Sequence, residues 1–193
     1  MILRLFLAIP IPEPIAARLL SLAMDVPGAS WRGANHFHIT LRFIGEVDES
    51  TARDIDLEVA RMVAAPFEIS LAGAGSFGGR EPTALWANVS APPDLQRLAA
   101  ACESAVRRAG LPPEPRRYRP HVTLAYLHGT RDMEVAHFLH EASGFRTEPF
   151  WVDHVCMYSS HSTRAGSHYR EEAVYPLTGW STLAQHPYEG RKP

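Results

Sequence analysis

Residues 36–43 read His36-Phe37-His38-Ile39-Thr40-Leu41-Arg42-Phe43. Polar and apolar side chains alternate with a period of two, the pattern of a β-strand with one covered face. The even positions, His36, His38, Thr40 and Arg42, share one face. Phe37, Ile39, Leu41 and Phe43 share the other, which suits a core. A second stretch, Arg119-Pro120-His121-Val122-Thr123-Leu124, repeats the arrangement, with Arg119, His121 and Thr123 on one face and Val122 and Leu124 on the other. The tetrad His-x-Thr-Leu thus occurs twice, at 38–41 and at 121–124. A single His-x-Thr is a common surface tripeptide, whereas two copies in matching surroundings point to a duplicated architecture.

The neighbouring segments support the duplication. Before the first tetrad, residues 3–9 read as a buried strand ended by Pro10 and Pro12, and Ile15, Leu19, Leu22 and Ala23 recur at helical spacing. After it, a helix following Asp48 buries Ile55, Val59, Met62 and Val63 and stops at Pro66. Residues 67–71 and 83–89 read as an antiparallel hairpin with a long loop containing Gly73, Gly75, Gly78 and Gly79. Pro92-Pro93 then introduces a helix with Leu95, Leu98, Ala99, Cys102 and Val106 on one side and Gly110 past its end. The second tetrad lies in a strand over residues 118–127, followed by a helix over 133–141 and strands near 150–158 and 167–174. The order helix, strand, helix, hairpin appears twice. It predicts two similar lobes forming an α+β domain. Residues 1–178 form one bilobal domain in this reading, and 179–193, which lack an apolar period, form a frayed tail.

Composition narrows the functional classes. The chain has 193 residues, 46% hydrophobic and 21% charged, with a formal net charge of −2, which excludes wholesale disorder and broad electrostatic binding to long nucleic acid. No apolar run approaches the ~18 residues of a membrane span, and the opening segment, broken by Pro10, Pro12 and Pro14, does not read as a signal peptide. Cys102 and Cys156 are too few for a disulfide framework, so a cytoplasmic monomer is expected.

If the lobes pair about a pseudo-twofold axis, His38 and His121 face each other across a cleft with Thr40 and Thr123 beside them. Imidazole titrates near working pH, so one ring can take a proton from water while the other gives one to a departing alkoxide. Threonine hydroxyls and an arginine, for which Arg42 and Arg119 are the candidates, would hold the nonbridging oxygens of a phosphate. This scheme needs neither metal nor cofactor. His137 and His140, three apart on a helix, and His36-x-His38 lack the Cys pairs or carboxylates of a metal centre and read as structural or solvated. Trp31 and Trp86 are candidates for stacking on a terminal base, with core packing as the alternative. Tyr126 falls on the apolar face unless a bulge re-aims it.

These residues resemble a known family. The paired tetrads, Arg4-Leu5-Phe6-Leu7-Ala8-Ile9-Pro10, Leu41-Arg42-Phe43-Ile44-Gly45-Glu46-Val47, Leu85-Trp86, Arg119-Pro120-His121 and Tyr158-Ser159-Ser160 together resemble the two-histidine phosphoesterases. Within them the likeness is to the RNA 2',3'-cyclic phosphodiesterases, also described as 2'-5' RNA ligases, and it covers residues 2–178. The resemblance implies an α+β fold of two similar lobes, antiparallel sheets flanked by helices and related by a pseudo-twofold axis, with the active-site cleft between them. The resemblance implies hydrolysis of 2',3'-cyclic phosphate ends of RNA, or of small cyclic-phosphate nucleotides, to a 2'-phosphate. It implies His38 as proton donor and His121 as proton acceptor. Two departures stand out. Members commonly carry Arg two positions after the second tetrad, where this chain has Tyr126, and a Pro and an Asn before the first, where it has Ala34 and His36. The alternatives are a non-catalytic module that binds RNA ends or cyclic nucleotides, and reversible 2'-5' RNA end-joining.

Overall fold

A computed structural model describes residues 2–90, 92–163 and 166–179. The tail proposed for 179–193 therefore lies, beyond Gly179, outside the described residues. The unbroken apolar run Leu5 to Ile9 is what a strand covered on both faces needs, and all five residues are buried in β1 (Ile2–Pro10). The chain continues through α1 (Glu13–Leu20), β2 (Ala29–Trp31), β3 (His38–Asp48), α2 (Glu49–Ala60), β4 (Phe67–Ile69), β5 (Leu71–Phe77) and β6 (Ala84–Val89). After it come α3 (Pro93–Arg108), β7 (His121–Leu127), α4 (Asp132–Glu141), β8 (Phe150–Val152), β9 (His154–Thr163) and β10 (Gly166–Pro176). Single turns of 3-10 helix occupy Ala34–His36 and Ala142–Gly144.

The sheet runs β10-β9-β1-β3-β7-β6-β5, with β2 added beside β7, and every pairing is antiparallel. Taken in chain order, β1-α1-β3-α2-β4-β5 and β6-α3-β7-α4-β8-β9 are the same succession of elements. Exchanging the two sets maps the central order β9-β1-β3-β7-β6-β5 onto itself. The lobes are thus two half-sheets that have traded their last strands: β5 pairs with β6 of the second set, and β9 with β1 of the first. The halves meet at Ile39↔Val122, the second residue of each tetrad, and again where β4 pairs with β8. Leu95, Leu98, Cys102 and Val106 of α3 and Ile55 and Val59 of α2 bury against the face that carries Ile39 and Val122. The opposite face is left to form a cleft.

Four expectations change in detail. The glycine run at 73–79 is not a loop: β5 passes through Gly73 and Gly75, and the connection to β6 is short. Glycine permits this because Gly75 pairs with Trp86, and a Cβ there would lie 2.2 Å from the indole ring. Residues 150–158 are two strands, since β8 leaves for β4 and β9 joins β1. Helix α1 ends at Leu20 and α2 at Ala60, before Leu22, Ala23, Met62 and Val63, and Val63 is 81% exposed. His36 precedes β3 in the 3-10 turn. The α2 start follows the sequence signal, with the Asp48 carboxylate accepting from the Thr51 N–H at 2.8 Å.

Candidate active site

The pairing Ile39↔Val122 is antiparallel, so extending its register by one residue sets His38 opposite Thr123 and Thr40 opposite His121. Ile39 and Val122 are fully buried on the helix side, which turns the four flanking side chains to the other side. All four line a cleft of about 710 Å³. The duplicated tetrads therefore converge at the seam between the half-sheets.

Each imidazole is held the same way. His38 Nδ1 lies 2.9 Å from the His36 carbonyl oxygen and His121 Nδ1 lies 2.7 Å from that of Arg119. A carbonyl only accepts, so Nδ1–H is the donor in both rings, which leaves Nε2 as the nitrogen that exchanges a proton. Aromatic rings fix the planes. Phe6 and Tyr169 lie 4.9 and 5.3 Å from the His38 ring centre, and Phe77 lies edge-on at 4.9 Å from His121. This burial has an electrostatic result. Desolvation is the largest influence on His38 and lowers its pKa to about 4, with His121, Arg32 and His36 adding repulsion against the bond to the His36 carbonyl. His121 is also lowered, first by desolvation and then by the Arg119 charge.

The remaining expected ligands divide. Thr40 and Thr123 line the cleft as expected. Arg119 does too, its guanidinium carbon 4.6 Å above the Trp86 ring and 5.3 Å from Phe77, with no carboxylate partner among the described residues. Arg42 is corrected. The register of β1 against β3 passes from Ala8↔Thr40 to Leu7↔Arg42, so Leu41 is an extra residue, a β-bulge. Beyond it Arg42 shares a face with core residue Leu7 and is 7% exposed. Its guanidinium pairs with Glu103 of α3, donates to the Phe43 carbonyl, and donates to the Pro112 carbonyl at 2.7 Å. It ties the 112–117 connector to the sheet and has little left for a ligand.

The same bulge recurs at Leu124, between Leu85↔Ala125 and Trp86↔Thr123, and it re-aims Tyr126. Tyr126 lines the cleft and is not a core residue. Trp31 donates its indole N–H to the Met24 carbonyl at 3.1 Å and packs on Phe138, while Trp86 is 5% exposed, so both serve packing. Arg32 was not anticipated. It follows the three-residue strand β2, lines the cleft, and lies over Tyr126 at 5.4 Å and Tyr169 at 5.9 Å. No local signal marks it, because β2 is too short to show a period. Among the described residues no group of three or more His, Cys, Asp or Glu is placed to hold a metal ion, and no helix is long and apolar enough to cross a membrane.

Known proteins share this architecture. The sequence profile of the 2'-5' RNA ligase superfamily matches residues 11–164. A relative from Aeropyrum pernix named RNA 2',3'-cyclic phosphodiesterase is 33% identical over 138 residues, 70% of this chain and 78% of its own length. One of the same name from Bacillus subtilis is 33% identical over 126 residues, 62% of this chain and 69% of its own. The crystal structure of Escherichia coli LigT complexed with 3'-AMP superposes with a TM-score of 0.76 at 23% identity, covering 92% of this chain and 99% of that one, a likeness of fold.

Proposed function

We propose, from the premise that this chain belongs to the 2'-5' RNA ligase superfamily, that it is a phosphodiesterase opening 2',3'-cyclic phosphates at RNA ends or on small nucleotides. Water attacks phosphorus and the P–O3' bond breaks, giving a 2'-phosphate and a free 3'-hydroxyl. One imidazole Nε2 takes the proton of the water and the other protonates the departing O3'. The family resemblance gives the donor role to His38 and the acceptor role to His121. Thr40, Thr123 and Arg119 are the ligands for the phosphate and the chain that carries it. Both protons travel on imidazoles, so the scheme is metal-independent, and full activity in excess chelator is expected. A monomer in the reducing, RNA-rich cytoplasm suits two free, buried cysteines.

The single observation that supports this reading most is the matched pair of imidazoles, each with Nδ1 tied to the carbonyl two residues earlier. A binding module would not need both tautomers fixed. The reading is tested by mass spectrometry of the product from a defined oligonucleotide with a 2',3'-cyclic phosphate end. The expected product is the intact oligonucleotide heavier by one water, with its phosphate on O2'. Unchanged substrate after long incubation would overturn the reading in favour of binding alone. A 2'-5' linked product from paired RNA halves would support end-joining, the reverse transesterification, on the same histidines.

A further inference from the structure

The guanidinium groups around the cleft differ in how far they are already partnered. Arg42 is tied to Glu103 and Pro112, and Arg116 is forked onto Glu114 at 2.7 and 3.3 Å. Among the described residues Arg32 pairs with no carboxylate, and although its side chain hydrogen-bonds Tyr169, its Nη2 is buried without a hydrogen-bond partner. A buried, charged N–H donor left unsatisfied is costly, so a fold that holds one at the edge of a cleft calls for an acceptor to arrive there. The backbone fixes its origin: the Arg32 N–H donates to the Leu124 carbonyl at 2.8 Å, one step beyond the pair Trp31↔Ala125 of the β2–β7 ladder. Two rings then fix the side chain, Tyr126 from the bulged end of β7 and Tyr169 from β10. Tyr169 also packs edge-on against His38, so the cation, the ring and the imidazole form one continuous wall.

We propose that Arg32 binds the nonbridging oxygens of the reacting phosphate beside His38, and that Tyr126 and Tyr169 are positioning residues that aim its fork into the cleft. This rests on the phosphodiesterase reading above and deepens it by adding a further anion ligand to Thr40, Thr123 and Arg119. The unused Nη2 carries two N–H donors, which match the nonbridging oxygens that a phosphodiester offers. The position also links binding to proton supply. His38 is faced by Arg32, His36 and His121 and by the phenols Tyr158 and Tyr169. In the empty cleft Arg32 repels a proton from His38. A phosphate anion seated on Arg32 cancels that repulsion and draws a proton onto the imidazole as the ligand enters.

Arg32→Gln and Arg32→Lys test this with three readouts: turnover of adenosine 2',3'-cyclic phosphate, binding of inorganic phosphate by calorimetry, and titration of His38 by NMR in the empty protein. Arg32→Gln is expected to lower kcat/KM on the order of 100-fold, the usual effect of losing one preorganised donor to a developing anion. It is also expected to weaken phosphate binding about 10-fold or more, and to raise the His38 pKa while leaving that of His121 in place. Arg32→Lys keeps the charge and loses the fork, so His38 titrates as in the parent while turnover stays reduced. Tyr126→Leu is expected to reproduce the Arg32→Gln changes in weaker form. Placing arginine at 126 in the Arg32→Gln background returns a guanidinium to the same wall and is expected to restore phosphate binding. Phosphate affinity and His38 titration unchanged in Arg32→Gln would overturn the proposal. If the parent does not turn over the cyclic phosphate, the phosphodiesterase reading fails, and the calorimetric and NMR arms still decide the role of Arg32.

Discussion

Strands β3 and β7 carry the same tetrad, the same carbonyl tether on the histidine and the same bulge at the tetrad leucine, yet they differ in the two residues that follow. After the bulge the helix-facing residue is Arg42 in β3 and Ala125 in β7, and the cleft-facing residue is Phe43 in β3 and Tyr126 in β7. Each cleft-facing ring lies beneath an arginine from the adjoining segment, Arg4 at 5.3 Å over Phe43 and Arg32 at 5.4 Å over Tyr126. The symmetric part of the molecule sets two imidazoles in equivalent frames. The asymmetric part sets where cations enter, and the Arg32 charge adds to the desolvation that makes His38 hard to protonate. Duplication supplies a pair, and divergence just beyond the bulge makes its members unequal.

The comparison is broken most directly at the histidines. His38→Ala and His121→Ala are each expected to lower kcat/KM by ~10²–10⁴, the usual range for one general acid or base. The double variant is expected to be little worse than either, because the two act as a unit. Single-turnover rates on a cyclic-phosphate oligonucleotide, with circular dichroism to confirm folding, check this. A single variant that keeps parental rates would show that only one half of the duplication carries chemistry.

The residue after the bulge gives the next contrast. Arg42→Ala removes one partner of an ion pair at the sheet–helix junction and leaves Glu103 without its cation. The expected cost is about 3 kcal/mol, at the low end for such pairs because Glu103 keeps some contact with solvent. The double change Arg42→Met with Glu103→Leu is expected to recover much of it, since well-packed apolar residues often replace such pairs without loss. Urea unfolding of the three proteins measures both numbers. An Arg42→Ala protein of parental stability that no longer binds phosphate would return Arg42 to the ligand set. Gly75→Ala probes the other half-sheet, where the added methyl meets the Trp86 ring that supports Arg119 and packs 6.1 Å from His121. Overpacking of this kind costs about 2 kcal/mol, and part of the loss is expected to appear in turnover.

The residues that read correctly from sequence are those for which local pattern decides the outcome. A period of two placed His38, Thr40, His121 and Thr123 on one face because nothing interrupts the pleat between the histidine and the threonine of each tetrad. The helices α2 and α3 followed from Asp48, Pro93 and their apolar stripes. Arg42 and Tyr126 were misplaced because one inserted residue reverses the alternation, and a bulge is fixed by the partner strand, not by its own sequence. Gly75 read as loop because its reason to be glycine is Trp86, a residue of the neighbouring strand. Arg32 was missed because it is positioned entirely by long-range partners: the Leu124 carbonyl and two tyrosines, Tyr126 and Tyr169, far along the chain. The exchange of β5 and β9 between half-sheets is likewise a matter of pairing that no window of sequence contains.

The smallest expected effect separates the two histidines by proton linkage. In the unfolded chain a histidine takes up its proton near pH ~6.5, whereas His38 in the fold does so only at about 4. Between those values the unfolded state binds more protons than the native state, so stability rises with pH and is lost on acidification through this window. His121 is shifted the same way by the same desolvation. His38 has the larger burden, first from desolvation and then because His121, Arg32 and His36 all oppose its charge. Urea unfolding at pH 6.5, 5.5 and 4.5 should therefore show a decline attributable to His38 of about 1–2 kcal/mol once partial solvation is allowed for. His38→Gln is expected to flatten that decline more than His121→Gln does. Added phosphate is expected to reduce it in the parent, because an anion in the cleft stabilises the protonated imidazoles of the native state. Equal slopes for the two glutamine variants would mean that the half-sheets impose the same field on both rings, and that the asymmetry beyond the bulges does not reach the imidazoles.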